Sequence, residues 1–338
     1  MGFGRVALCI IVRLLSSCGD DGAAASMAPP ATVAPAGASG QVAMGSAGEP
    51  GAPGASGAGA GGSNAAPVAA GSGSAGNAAP TTPVKPGSCC ANGNCLCRGA
   101  APTALSSDAG PLGVEHYALP GAGCLYYPKD AEPPFAAVAM ADGFGGSGGC
   151  ASVQTGQWGT LYASHGIVTL IVETGSGAQP ASRGHALNRG IAALKAEHEK
   201  TGSPLFGKLA GRYGTAGFSM GGGGTTYATR ADASLLSNVA IMPWGAADGG
   251  GSVPTLIICG STDGVAPCKT HGAPAYAKLG AAVPKLRVEV AGGHNGQPGT
   301  GSASPAAYAL AFQKVFLDGD ERWRPLLVAA PSVETTIR

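Results

Sequence analysis

No Phe, Trp or Tyr occurs between Phe3 and Tyr117. A stretch of that length without aromatic side chains, and nearly without Leu or Ile, cannot bury enough apolar surface to offset the chain entropy lost on ordering it. The core must therefore be built from about residue 115 onward, where roughly 210 residues suffice for one substantial core. Charged residues make up only 12% of the chain and the formal net charge is +1. Nucleic-acid recognition needs clustered Lys and Arg, so that class of partner is not expected. No apolar run reaches 18 residues, so a conventional membrane span is not expected.

The first 18 residues read as an export signal. Arg5 precedes the apolar run from Val6 to Val12, and Leu15-Ser16-Ser17-Cys18 follows, with Arg13 interrupting. That tetrapeptide resembles the bacterial lipobox, whose Cys is lipidated, so Cys18 is a candidate for anchoring in a bacterial membrane. Ordinary secretion is the alternative route. Residues 19–86 are dominated by Ala, Gly, Ser and Pro, and from Gly22 to Val84 the only charge is Glu49. This segment is expected to be a disordered linker, spanning roughly 45 Å as a random coil. A Cys-rich segment at 87–99 leads into a catalytic domain placed at 100–325, followed by a tail at 326–338. The expected protein is exported and monomeric.

Cysteine usage agrees with export. Beyond Cys9 and Cys18, eight remain: Cys89, Cys90, Cys95, Cys97, Cys124, Cys150, Cys259 and Cys268. An even number in an oxidising compartment suggests disulfides, whose connectivity spacing alone does not give. The compact cluster at 89–97 has no nearby His and fits structural zinc poorly, so no metal is expected.

From residue 114 the chain alternates two patterns. Apolar runs suited to buried strands occupy 135–141, 167–172, 239–242, 255–258 and 286–290. Leu187, Ile191 and Leu194 fall on one helical face, as do Tyr308, Phe312, Val315 and Phe316. Strands alternating with helices imply a mostly parallel central sheet with helices on both faces. Residues 114–119 and 124–127 read as an antiparallel pair at its start.

Gly217-Phe218-Ser219-Met220-Gly221 is a G-x-S-x-G elbow, the sharp strand-to-helix turn that exposes a nucleophilic Ser in an α/β-hydrolase fold. Residues 213–217 can end a strand and 222–230 can open a helix. A Ser hydroxyl needs a base to remove its proton, and the base needs an orienting acid. In this fold both follow the Ser, each after a later strand. Asp263 follows the 255–258 run and His294 follows the 286–290 run, so Ser219, Asp263 and His294 are the candidate triad. His271 comes too early after Asp263 to follow another strand, and His165 precedes a strand. His185 and His198 sit in a helical pattern and read as solvated; Asp232 and Asp248 read as turn residues. The oxyanion hole needs two backbone N–H groups. Met220, after the nucleophile, and Phe144, in the loop after 135–141, are the candidates.

Only about ten Gly-rich residues separate Met242 from Val253. No lid fits there, and an open site suits a bulky or polymeric ester. Trp244 should stand beside that opening, either as packing or as a wall that stacks flat substrate groups.

At these residues the chain resembles the bacterial cutinases and poly(ethylene terephthalate) hydrolases, from about Ala101 to Leu317. The carrying pieces are Gly217 to Thr225 (GFSMGGGGT), Ala163-Ser164-His165-Gly166, Pro243-Trp244, Pro254-Thr255-Leu256-Ile257 and Gly121 to Pro128 (GAGCLYYP). The resemblance implies Ser219, Asp263 and His294 as triad and Phe144 and Met220 as oxyanion donors. It also implies a substrate-binding surface of Phe144, Met220, Trp244, Phe218 and Val265. Some positions depart from the family: Asp142 replaces a usual Pro, and Phe218 replaces a usual His or Trp. The disulfide joining acid and base loops in some aromatic polyesterases has no second Cys near His294, leaving Cys268 as an alternative partner for Cys259.

The expected activity is hydrolysis of carboxylic esters through an acyl-enzyme, without cofactor, on cutin-like or synthetic polyesters. A short-chain carboxylesterase or lipase, or a polyhydroxyalkanoate depolymerase, is the enzymatic alternative. The non-enzymatic alternative is a surface-tethered binding protein.

Overall fold

A computed structural model describes residues 95–246 and 251–337. The leader, Cys18, the linker, Cys89, Cys90 and Asp248 lie outside the described residues. Among those described, nine strands form one sheet in the order β1-β2-β4-β3-β5-β6-β7-β8-β9. The strands are β1 (Val114–Leu119), β2 (Gly123–Pro128), β3 (Phe135–Ala141), β4 (Ile167–Val172), β5 (Leu209–Phe218), β6 (Ser237–Ile241), β7 (Thr255–Gly260), β8 (Lys285–Val290) and β9 (Glu334–Thr335). β3 through β8 pair in parallel. β1 runs antiparallel to β2, β2 to β4, and β9 to β8.

The helices are α1 (Gly156–Ser164), α2 (Pro180–Glu199), α3 (Met220–Ala231), α4 (Gly272–Ala277), α5 (Pro305–Phe316) and α6 (Arg324–Ala329). Because side chains alternate along a strand, β3 feeds two cores. Ala136, Val138 and Met140 join Trp158, Tyr162 and Phe312 on one face. Phe135, Ala137 and Ala139 join Leu187, Ile191 and Leu194 of α2 on the other. A strand buried on both faces reads as a near-continuous apolar run, and β3 does, as does β4 but for Thr169, whose hydroxyl donates to the Ile167 carbonyl. α5 starts where its chemistry requires. Ser304 accepts a hydrogen bond from the Ala307 N–H at 3.2 Å, and Pro305 occupies the first helical position.

Several boundaries differ from the sequence reading. β6 begins at Ser237 because two buried polar residues hydrogen-bond across it. Ser237 donates to Gln313, and Asn238 accepts from the Thr215 hydroxyl at 3.2 Å. It ends at Ile241 because Met242 turns to φ 44. The chain from 326 onward is not a tail outside the domain: Leu327 and Ile337 are buried in the core, and β9 extends the sheet. Cys95 and Cys97 are each disulfide-bonded, though not to one another, their sulfurs standing 3.3 Å apart. Between them Leu96 donates its N–H to the Asp318 carbonyl, so the end of the Cys-rich segment lies against the folded domain.

Candidate active site

β5 delivers the chain to Ser219 in a strained backbone conformation, φ 54 and ψ −118. Such a conformation persists only where the surroundings over-determine it. Here the Ser219 N–H donates to the Ile241 carbonyl at 2.9 Å, and its carbonyl accepts from Gly223 and Trp244. A Cβ on Gly217 would stand 2.4 Å from the Gly221 backbone, and one on Gly221 would stand 2.2 Å from the Ala141 carbonyl. These two glycines let strand, helix and neighbouring strand end converge beneath the nucleophile.

The three expected catalytic side chains come together. Ser219 Oγ lies 2.8 Å from His294 Nε2, and His294 Nδ1 lies 2.7 Å from Asp263 Oδ2. An ionised carboxylate only accepts, so Nδ1 carries the proton and Nε2 is free to accept from the Ser219 hydroxyl. Asp263 Oδ1 accepts from the N–H groups of Val265 and Ala266, at 2.9 and 2.7 Å. Burial pushes the Asp263 carboxyl up. The hydrogen bonds from His294, Ala266 and Val265 outweigh it and hold the group below the ordinary carboxylate range.

Asp263 sits in the loop after β7, closed on itself by a disulfide between Cys259 and Cys268. The same loop is tied to the base loop. Ser261 donates to the Val290 carbonyl at 2.8 Å, and Thr262 donates to the Gly292 carbonyl at 2.9 Å.

Met220 opens α3, so its N–H precedes the helix's own hydrogen bonds. Phe144 stands opposite, in the loop after β3, with its side chain 67% exposed. The foundation of that loop is Asp142, which accepts from Gly148 N–H at 2.9 Å, from Ser152 Oγ at 2.7 Å and from the Thr155 hydroxyl. A disulfide from Cys124 on β2 to Cys150 ties the loop's far side to the sheet. Buried Arg183 of α2 completes the support, donating to Ala178 O, Thr174 Oγ1 and Ser176 O, while Gly145 N–H donates to Ser176 O. The Asp at position 142 thus organises the loop that carries Phe144.

The side chains expected to meet substrate fall into two groups. Phe144 and Val265 are exposed and Trp244 is half-buried. Phe218 is buried, its ring 4.8 Å from that of His294, so it packs behind the base; as the last residue of β5 it points into the core.

Sequence reasoning missed His271. It does not bond the nucleophile, but its ring stacks on Trp244 with centroids 6.0 Å apart. Burial lowers its pKa, the Asp263 charge opposes that, and His294 adds to it. Its position at the start of α4, just past the acid loop, was the available signal. The other rejected candidates lie away from the relay. His165 Nε2 meets the Asp108 carbonyl at the opposite end of the strands, and Asp232 accepts from Ser234. His185 is exposed as expected. His198 is not simply solvated, since its Nδ1 accepts the Leu209 N–H at 3.0 Å. A cavity of about 970 Å³ near His165 has two of its basic side chains engaged: Lys314 donates to the His165 carbonyl and to Asp318, and Arg98 to the Pro134 carbonyl.

Comparisons with known proteins place the chain in a family. The family described as PET hydrolase-like matches residues 90–337. A bis(hydroxyethyl) terephthalate hydrolase of Streptomyces coelicolor is 32% identical over 71% of this chain and 79% of its own length. Cutinase 1 of Thermobifida cellulosilytica is 32% identical over 69% of this chain and 91% of its own. A cutinase of Thermobifida fusca is 30% identical over 69% and 79% respectively. The match runs through the Cys-rich segment's end and the C-terminal strand as well as the triad. With its sheet order, elbow and relay, the protein has the α/β-hydrolase fold, belongs to the PET hydrolase-like family and is a carboxylic-ester hydrolase.

Proposed function

We propose that the protein is an exported polyesterase that works through a covalent acyl-enzyme on Ser219. The supporting observation is the continuous relay from Ser219 Oγ through His294 to Asp263, at 2.8 and 2.7 Å, on a strained elbow. Ser219 Oγ attacks the ester carbonyl carbon while its proton passes to His294 Nε2. The carbonyl oxygen becomes an oxyanion between the N–H groups of Phe144 and Met220. Asp263, held ionised, stabilises the imidazolium. The intermediate collapses, the C–O bond to the alcohol breaks, and His294 returns the proton to the leaving oxygen. Water then attacks the acyl-enzyme with His294 as base, releasing the acid and restoring Ser219.

Exposed Phe144 and Val265 and half-buried Trp244 form an apolar rim suited to a chain lying across the site, not one entering a closed pocket. The relatives' names point the same way: cutinases, and a hydrolase of an aromatic diester. A leader ending in Cys18 and oxidised cysteines support export, by lipid anchor or by secretion. Labelling with a fluorophosphonate followed by peptide mass analysis should place the adduct on Ser219. A turnover panel of p-nitrophenyl butyrate, an aliphatic polyester and an aromatic polyester tests the substrate. Activity confined to the small ester would refute the polyesterase reading.

A further inference from the structure

An oxyanion hole works only if its donors are aimed before charge develops. The Phe144 N–H belongs to an irregular, glycine-rich loop, which by itself holds no fixed direction. Backbone bookkeeping shows what fixes it. The Gly143 N–H donates to Gln154 Oε1 at 2.7 Å, and the Phe144 carbonyl accepts from Gln154 Nε2 at 3.0 Å. The Gly143 carbonyl accepts from Gly146 N–H at 3.2 Å. Of the four polar backbone groups of residues 143 and 144, three are thus engaged within the protein. The Phe144 N–H has no hydrogen-bond partner among the described residues.

The direction of the Gln154 amide is not arbitrary. A backbone N–H must face its oxygen and a carbonyl must face its NH₂, so the two contacts specify one orientation. Gln154 is itself held from both sides. Its neighbour Thr155 is buried and bonded to Asp142, while Val153 O accepts from Gln297 in the base loop. A Cβ on Gly143 would come within 2.7 Å of Ser219 Cβ and 3.3 Å of Gln154 Oε1. The clamp therefore sits directly against the nucleophile.

We infer that Gln154 is the positioning residue of the oxyanion hole. Its carboxamide bridges the backbone of residues 143 and 144 and leaves the Phe144 N–H as this loop's donor, beside that of Met220, for the developing oxyanion. The inference rests on the acyl-enzyme reading above. No part of Gln154 touches the reacting atoms, so its loss acts through Phe144. Gln154→Ala removes both bonds. Gln154→Glu keeps an acceptor for Gly143 but cannot donate to the Phe144 carbonyl, and it brings negative charge toward the developing oxyanion.

The test is kinetic. Loss of a whole oxyanion donor costs about 10²–10³ in kcat, so a misaimed donor should cost part of that. Gln154→Ala should lower kcat by roughly 10- to 100-fold on p-nitrophenyl butyrate, with KM within about threefold, and Gln154→Glu should lose more. Affinity for a phenylboronic acid, which forms a tetrahedral adduct with Ser219, should fall in step with kcat/KM. Active-site titration corrects each rate for correctly folded enzyme. Variants keeping kcat within about twofold of wild type would overturn the inference. So would a fall in kcat with boronate affinity unchanged, the mark of a role elsewhere in the fold. Wild type that acquires no fluorophosphonate adduct on Ser219 would instead bring down the acyl-enzyme reading, and this inference with it.

Discussion

The acid loop and the oxyanion loop flank the same nucleophile but are made rigid by different means. The acid loop closes on itself through Cys259 and Cys268, nine residues apart, with Asp263 between them. The oxyanion loop has a disulfide too, but Cys124 and Cys150 are 26 residues apart and bind the loop to β2. Its inner geometry comes from side chains bonding to backbone, with Asp142 at the hub. The difference follows from what each must present. The acid loop aims a side chain, which its own backbone N–H groups can hold. The oxyanion loop aims a backbone N–H, which only other groups can hold.

Asp263→Asn breaks the acid side most sharply. The amide reverses the hydrogen bond to His294 and favours the wrong tautomer, so kcat should fall about 10⁴-fold with little change in KM. A fall below tenfold would mean that the loop, and not its carboxylate, orients the base. Asp142→Ala is the counterpart on the other side. It leaves Gly148, Ser152 and Thr155 without their acceptor, and kcat per titrated active site should fall about 10²-fold. Ser219 labelling should survive in both variants at reduced rates.

The disulfides sharpen the comparison through stability. Chain-entropy arguments give about 3.6 kcal/mol for the longer closure and about 2.7 kcal/mol for the shorter. Replacing Cys124 and Cys150 by Ser should therefore lower the denaturation midpoint more than replacing Cys259 and Cys268. The reverse order would show that the acid loop carries strain or contacts beyond closure.

The smallest expected effect is a slope. Asp263 is held below the ordinary carboxylate range, so its ionised form contributes fully above about pH 3.9, the unfolded value. That contribution is lost only as pH falls through the lower folded value. Between neutrality and about pH 4.5, Asp263 should therefore add no protonation step of its own to log kcat/KM. A slope of two in that window would mean that Asp263 protonates there.

Much of the fold was legible because buried parallel strands announce themselves. β3 and β4 begin and end where their apolar runs do. The triad was legible through order along the chain, since each member follows a strand. What escaped depends on partners distant in sequence. Ser237 and Asn238 are strand residues only because Gln313 and Thr215 satisfy them inside the core. His271 matters only because α4 brings it to Trp244. Asp142 read as a departure from the family, and its bonds to Gly148, Ser152 and Thr155 become visible only when the loop folds back on it. Phe218 looked like part of the cleft because it adjoins the nucleophile, yet strand alternation turns it inward.

The two-residue strand β9 has a consequence for how molecules behave in company. The outermost parallel strand of any open sheet displays unpaired N–H and carbonyl groups, a template on which a second molecule can build. Here Val333 donates to the Arg287 carbonyl, Thr336 donates to the Lys285 carbonyl, and Arg287 is paired with Glu334 at 3.1 Å. Residues 333–336 thus act as a selvedge: they border β8 with a short, charged hem that a neighbouring molecule cannot easily stitch onto. Removing them would uncover the edge of β8 at Lys285–Arg287, and the expected cost is colloidal, turbidity and irreversible association on storage, before it is catalytic.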